Sequence, residues 1–90
     1  MINITKQGSV DIVTFNVDKI NALITEEIKK GITPIFNQQN AAVIIDLANI
    51  KYIDSCGFGC LLSIMRTAKD NYGVIKLNIT NEKVAGMFKT

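Results

Sequence analysis

Val43-Ile44-Ile45-Asp46-Leu47-Ala48-Asn49-Ile50-Lys51-Tyr52-Ile53-Asp54-Ser55-Cys56-Gly57-Phe58-Gly59 is the stretch on which the fold turns. With Ala42 before it, its first part is a continuous apolar run, the pattern of a strand covered on both faces or nearly so. Ile53 follows after a short connection, and Asp54-Ser55-Cys56-Gly57 opens a helix. Successive residues at helical intervals of about 100° place Ile64, Gly57, Ala68, Leu61, Tyr72, Met65, Phe58 and Leu62 on one broad apolar arc, interrupted by Lys69. Arg66, Gly59, Asp70, Ser63, Thr67, Cys60 and Asn71 fall on the opposite arc. Gly73 is positioned to stop the helix as a C-terminal glycine.

Downstream, Ile75, Leu77 and Ile79 alternate with Lys76 and Asn78 as a further strand. Thr80 or Asn81 caps a last helical stretch with Val84, Met87 and Phe88 facing inward. Upstream, Ile2 and Ile4 alternate with polar residues, Lys6-Gln7-Gly8-Ser9 turns the chain, and Val10 to Phe15 returns, which predicts a hairpin. Ile20, Ile24, Ile28, Gly31, Ile32 and Ile35 then recur at helical spacing. Pro34 removes a backbone donor inside that pattern, so the expectation is one kinked helix from Ile20 to about Asn37, with a break at Thr33 as the alternative. The order β-β-α-β-α-β-α predicts an α/β domain with a small mixed sheet of about four strands, helices packed against it, and later strands made parallel by right-handed crossovers.

Composition excludes much. The 90 residues are 48% hydrophobic and 20% charged, which suits one small globular domain and not disorder. The net charge of +2 comes from scattered lysines, without the basic stripe that direct nucleic-acid binding needs. The longest unbroken aliphatic run, Ala41 to Ile45, is far short of the ~20 residues that span a bilayer. Met1-Ile2-Asn3-Ile4-Thr5-Lys6 lacks the features of a signal peptide, so a cytoplasmic location is expected. With no histidine, Ser-His-Asp and Cys-His catalysis are excluded. The two cysteines, Cys56 and Cys60, are too few for a four-ligand zinc site, so no metal or cofactor is expected. Gly57-Phe58-Gly59 lies at a strand-to-helix junction, but Leu62 stands at the third glycine position of a dinucleotide fingerprint and no Walker lysine follows. A nucleotide-binding module is therefore a minor alternative. An enzyme would need Ser55 or a cysteine as nucleophile with Lys51 or Asp54 assisting, and no elbow motif supports it.

Ser55 sits at or beside the N-cap of the second long helix, where unpaired N–H groups and the positive end of the helix dipole favour an anion. Phosphate there would add about −1.5 to −2 of charge without necessarily disturbing the fold, although the adjacent Asp54 repels it. The plainer alternative is that Asp54 and Ser55 only cap the helix. Cys56, Gly59, Cys60 and Ser63 form a small-residue face close to Ser55, which is either a docking surface that another backbone can approach or an ordinary solvated face.

Asp46-Leu47 and Ile53-Asp54-Ser55-Cys56-Gly57-Phe58-Gly59 resemble the signature of the anti-sigma-factor antagonists, the STAS domains, in order and spacing. In that signature an apolar strand ends in Asp-Leu and a connection leads to Ile-Asp-Ser-Ser-Gly-Leu-Gly. The element order before and after also follows the family, so the resemblance covers essentially residues 1–90 as a single STAS-like domain. It implies a partner-switching protein in transcription regulation and not an enzyme. The unmodified antagonist binds an anti-sigma factor that is also a serine kinase, phosphorylation of the serine matching Ser55 releases it, and a serine phosphatase resets it. The implied partner-binding residues are Asp54, Cys56, Gly57, Phe58, Gly59, Cys60 and Ser63. A STAS scaffold that is never phosphorylated is the alternative within the family. Cys56 replaces the commoner second serine, and Phe58 a leucine. The chain stops at Thr90, where similar domains continue to a final C-terminal helix, and a surface left uncovered there would favour a homodimer or a partner.

Overall fold

The computed structural model describes residues 2–38 and 40–89. Met1, Gln39 and Thr90 lie outside them, and so does the expected ending of the domain at Thr90. Strand β1 (Ile2–Gln7) turns at Gly8-Ser9 into β2 (Val10–Phe15), pairing antiparallel from Ile2↔Phe15 to Gln7↔Val10. Gly8 has φ +62°, the positive value that a two-residue hairpin turn requires at its first central position. A two-residue strand β3 (Lys19–Ile20) precedes helix α1 (Thr25–Ile32) and a 3-10 turn over Thr33–Asn37. Then come β4 (Ala42–Asp46), β5 (Tyr52–Ile53), α2 (Ser55–Asp70), β6 (Val74–Asn78) and α3 (Glu82–Met87).

The main sheet has the order β1-β2-β4-β6, with β2, β4 and β6 parallel, and β3 pairs with β5 in a separate small ladder. This is the expected mixed α/β architecture. Alternation along the strands turns Val13, Phe15, Val43 and Ile45 inward. They meet Ile28 and Ile32 of α1, Leu61, Ile64 and Ala68 of α2, and Val84 of α3 in a single core. No described helix is long and apolar enough to cross a membrane.

Three local expectations are corrected. The helical stripe does not begin as a helix at Ile20, because Ile20 is drawn into a parallel bridge with Ile53. Nor does it continue as one kinked helix. It stops at Ile32, and Pro34 sits in the first turn of the following 3-10 segment, where its missing N–H is harmless, so the break at Thr33 is the arrangement found. The stop of α2 is built differently from a glycine cap. Tyr72 takes the left-handed conformation at φ +58°, Tyr72 N donates to Lys69 O and Gly73 N donates to Ala68 O, which together form a Schellman motif. Gly73 is required for space instead, since a Cβ there would lie 3.1 Å from Ala41 O, Ala68 O and Phe36 Cδ1.

Candidate functional site

α2 begins where it does because of Asp54. Its backbone is extended (φ −82°, ψ 177°), and its Oδ1 accepts from Gly57 N at 2.7 Å, an N-cap to the third helical residue. The other carboxylate oxygen, Oδ2, accepts from Ala22 N at 3.2 Å across the β3–α1 loop. Its main chain is engaged too: Asp54 N donates to Ile20 O at 3.1 Å and Phe58 N donates to Asp54 O at 2.9 Å. One half-buried aspartate thus fixes the helix start, the end of β3 and the loop that follows it.

Ser55 is therefore the first residue of α2 and not its cap, and it is exposed. Its hydroxyl has no hydrogen-bond partner among the described residues. Cys56 beside it is an exposed free thiol. Gly59 and Ser63 follow on the same exposed flank, and a Cβ built on Gly59 would meet nothing within 4 Å. Phe58 is half-buried, its ring 5.0 Å from that of Phe88 and tilted by 58°. Its contact is thereby with the segment after α3.

Two of the residues implied to bind a partner lie inside, Gly57 as its place on the apolar arc predicts and Cys60 against its place on the opposite arc. Gly57 is buried, because α2 packs so closely on β3 that a Cβ would stand 2.6 Å from Ile20 O. Cys60 is only 4% exposed, and its Sγ donates weakly to Thr25 O at 3.6 Å. The physical reason is α1, which lies alongside α2 and covers the Cys60 flank. The buried arc is thus rotated by roughly 60° from that of an isolated amphipathic helix, leaving Leu62 exposed, while Tyr72 is exposed because it lies past the end of α2 in the left-handed turn. Burial pushes the Cys60 thiol above its ordinary value, with Lys29 opposing and Glu26 adding to the rise. The small-residue face is accordingly Cys56, Gly59 and Ser63, with Ser55 at its head.

The structure adds a feature that the sequence pattern passed over, the β3–α1 loop over residues 21–24. Leu23 N donates to Asn21 Oδ1 at 3.0 Å, Ile24 N to Asn21 O at 3.1 Å, and Thr25 Oγ1 to Ala22 O at 3.2 Å. Leu23 is 91% exposed at the tip. The available signal was its phase, since the stripe through Ile20, Ile24 and Ile28 skips it.

The STAS domain family model matches residues 1–90 of the chain. No curated protein sequence matches it. Among solved structures, the chain superimposes on the anti-sigma factor antagonist SpoIIAA in its unphosphorylated form with a TM-score of 0.79 at 17% identity, covering 99% of this chain and 82% of that one. An anti-sigma factor antagonist from Mycobacterium paratuberculosis gives a TM-score of 0.79 at 15% identity, over 99% of this chain and 80% of that one. Mglu gives a TM-score of 0.77 at 14% identity over 89% of this chain, but this chain spans only 20% of Mglu, so there the fold is a small part of a longer protein.

Proposed function

The chain belongs to the STAS domain family, and from that premise we propose that it is an anti-sigma-factor antagonist controlled by phosphorylation of Ser55. The unmodified protein binds an anti-sigma factor that is a serine kinase. Transfer of the γ-phosphoryl group of ATP to the Ser55 oxygen, with release of ADP and the hydroxyl proton, dissolves the complex, and a serine phosphatase restores it by hydrolysing the phosphate ester with water. On this reading the chain is a cytoplasmic binding protein and not an enzyme. The observation that carries the proposal is the exposure of Ser55 as the first residue of α2, on a helix start already capped by Asp54. The likeness to SpoIIAA and to the mycobacterial antagonist supports the class of partner.

The energetics suit a switch. A hundredfold loss of affinity needs about 2.8 kcal/mol. A group carrying about −1.5 to −2 of charge, placed in an interface formed around a neutral hydroxyl, supplies that through desolvation and repulsion. The test compares Ser55→Ala and Ser55→Asp as baits in native lysate, with partners identified by mass spectrometry. The retained kinase is then incubated with wild type and labelled ATP. A serine kinase held by Ser55→Ala but not by Ser55→Asp, and phosphate incorporated at Ser55 alone, are the expected results. Identical partner sets, or no kinase in either, would leave a constitutive binding domain.

A further inference from the structure

We infer that Leu23 is the apolar anchor of the docking surface headed by Ser55, and that it enters an apolar pocket of the partner kinase; the inference rests on the partner-switching reading above. A single exposed leucine is ordinary on a protein surface. Leu23 differs in how it is held. It is 91% exposed, against 40–74% for the other exposed large apolar side chains described. Its loop is nonetheless fixed, by Asn21 Oδ1 accepting from Leu23 N, Asn21 O from Ile24 N, and Ala22 O from Thr25 Oγ1. The loop is also tied to the switch. Ala22, the residue before Leu23, donates its N–H to Asp54 Oδ2, and Asp54 is the residue before Ser55.

Two chain steps at about 3.8 Å each, the Asp54 side chain and one hydrogen bond therefore separate Leu23 from Ser55, so both fit within one standard-sized interface. An apolar side chain presented on a fixed loop loses little conformational entropy on binding, which is the property of an interface anchor. Its occupant is a protein pocket lined by apolar groups, at whose rim a neutral hydroxyl is accommodated and a doubly charged phosphate is not. Leu23 thus supplies affinity, Ser55 decides whether it is used, and Asp54 holds the two in register.

The test uses the kinase retained by the Ser55→Ala bait, purified and titrated with wild type, Leu23→Ala, Leu23→Asp and Ser55→Asp. Leu23→Ala is expected to weaken binding roughly tenfold or more, and Leu23→Asp at least as much, with melting temperatures unchanged. Leu23→Ala binding within about twofold of wild type while Ser55→Asp fails to bind overturns the anchor and leaves the switch standing. Ser55→Asp binding as wild type overturns the switch, and failure to retain any kinase overturns both. A lowered melting temperature for Leu23→Ala would make Leu23 part of the fold and would also overturn the anchor.

Discussion

Alanine placed at Gly57 and at Gly59, two residues apart in α2, should move stability in opposite directions. At Gly57 the new Cβ would stand 2.6 Å from Ile20 O, 2.8 Å from Ile20 Cγ2 and 3.0 Å from Ile20 C. Ile20 cannot yield cheaply, because it is wholly buried, its carbonyl accepts from Asp54 N, and it pairs with Ile53. The start of α2 must move instead, which strains the cap at Asp54. Overpacking costs about 1–3 kcal/mol and a weakened cap about 1, against about 1 recovered from helix propensity. The net expectation is a loss of about 1–3 kcal/mol. At Gly59 a Cβ meets nothing within 4 Å, so only the propensity term acts, and Gly59→Ala should gain about 0.5–1 kcal/mol. For a domain of this size each kcal/mol moves the melting temperature by roughly 4–8 °C. Urea unfolding followed by circular dichroism, with melts alongside, resolves both changes. A Gly57→Ala protein as stable as wild type, or a Gly59→Ala protein less stable, would refute the packing argument. Gly59→Ala also carries a functional reading. A more stable protein that binds the kinase less tightly would mean that the bare backbone there serves a partner and not the fold.

Asp54→Ala should cost about 1–2 kcal/mol through the lost cap and the lost bond from Ala22 N, whereas Asp54→Asn should fall between Ala and wild type, because its Oδ1 can still cap Gly57 N but its amide nitrogen donates and cannot accept from Ala22 N. Thermal unfolding of the pair tests this, and an equal fall in both would show that the cap to Gly57 N is not what Asp54 contributes. The thiols should also separate. A thiol reagent followed by mass spectrometry should modify Cys56 promptly and Cys60 only at the rate of unfolding. Because burial raises the folded Cys60 value, the unfolded chain releases its proton first, at about pH 9.0. The stabilisation is therefore complete below that pH and is lost as pH rises through the folded value. Cys60→Ala should lack this alkaline decline, and an unchanged decline would show that other groups cause it.

Much of this architecture was legible because its signals are local. Alternation in Ile2–Gln7 and Val10–Phe15 around Gly8 specifies the hairpin, and the apolar run over Ala42–Asp46 followed by Asp54-Ser55 specifies a covered strand and a capped helix. What was not legible depends on partners distant in sequence. Ile20 belongs by phase to a helical stripe, yet pairing with Ile53 places it in a strand. Cys60 lies on the polar side of α2 considered alone and is buried only because α1 covers that side. Tyr72 has no sequence signal for a left-handed residue, and Gly73 draws attention from it by being needed for clearance. At the candidate site, Ser55, Cys56, Gly59 and Ser63 could be placed on the surface from helical phase. Leu23 could not be assigned a place beside them, because the contact between Ala22 and Asp54 spans 32 residues.

The division of labour between Asp54 and Ser55 explains how a charge can be added at this point without the fold responding. Had the serine been the cap, phosphate on it would replace the hydroxyl acceptor that starts α2 with a bulkier charged one, and modification would rebuild the helix start that the partner recognises. Here Asp54 holds the Gly57 N–H and the Ala22 N–H, and the Ser55 side chain has no such duty. A phosphate on Ser55 would meet the positive end of α2, favourable by roughly 0.3–1 kcal/mol, and the neighbouring Asp54 carboxylate, unfavourable by a similar amount through exposed solvent. These contributions largely cancel in the free protein. In a complex the same charge would be desolvated, and nothing cancels it unless the partner supplies a cation. The fold can therefore remain nearly indifferent to a modification that changes affinity a hundredfold, and that difference is what makes an exposed first helical residue a better switch than the cap beside it.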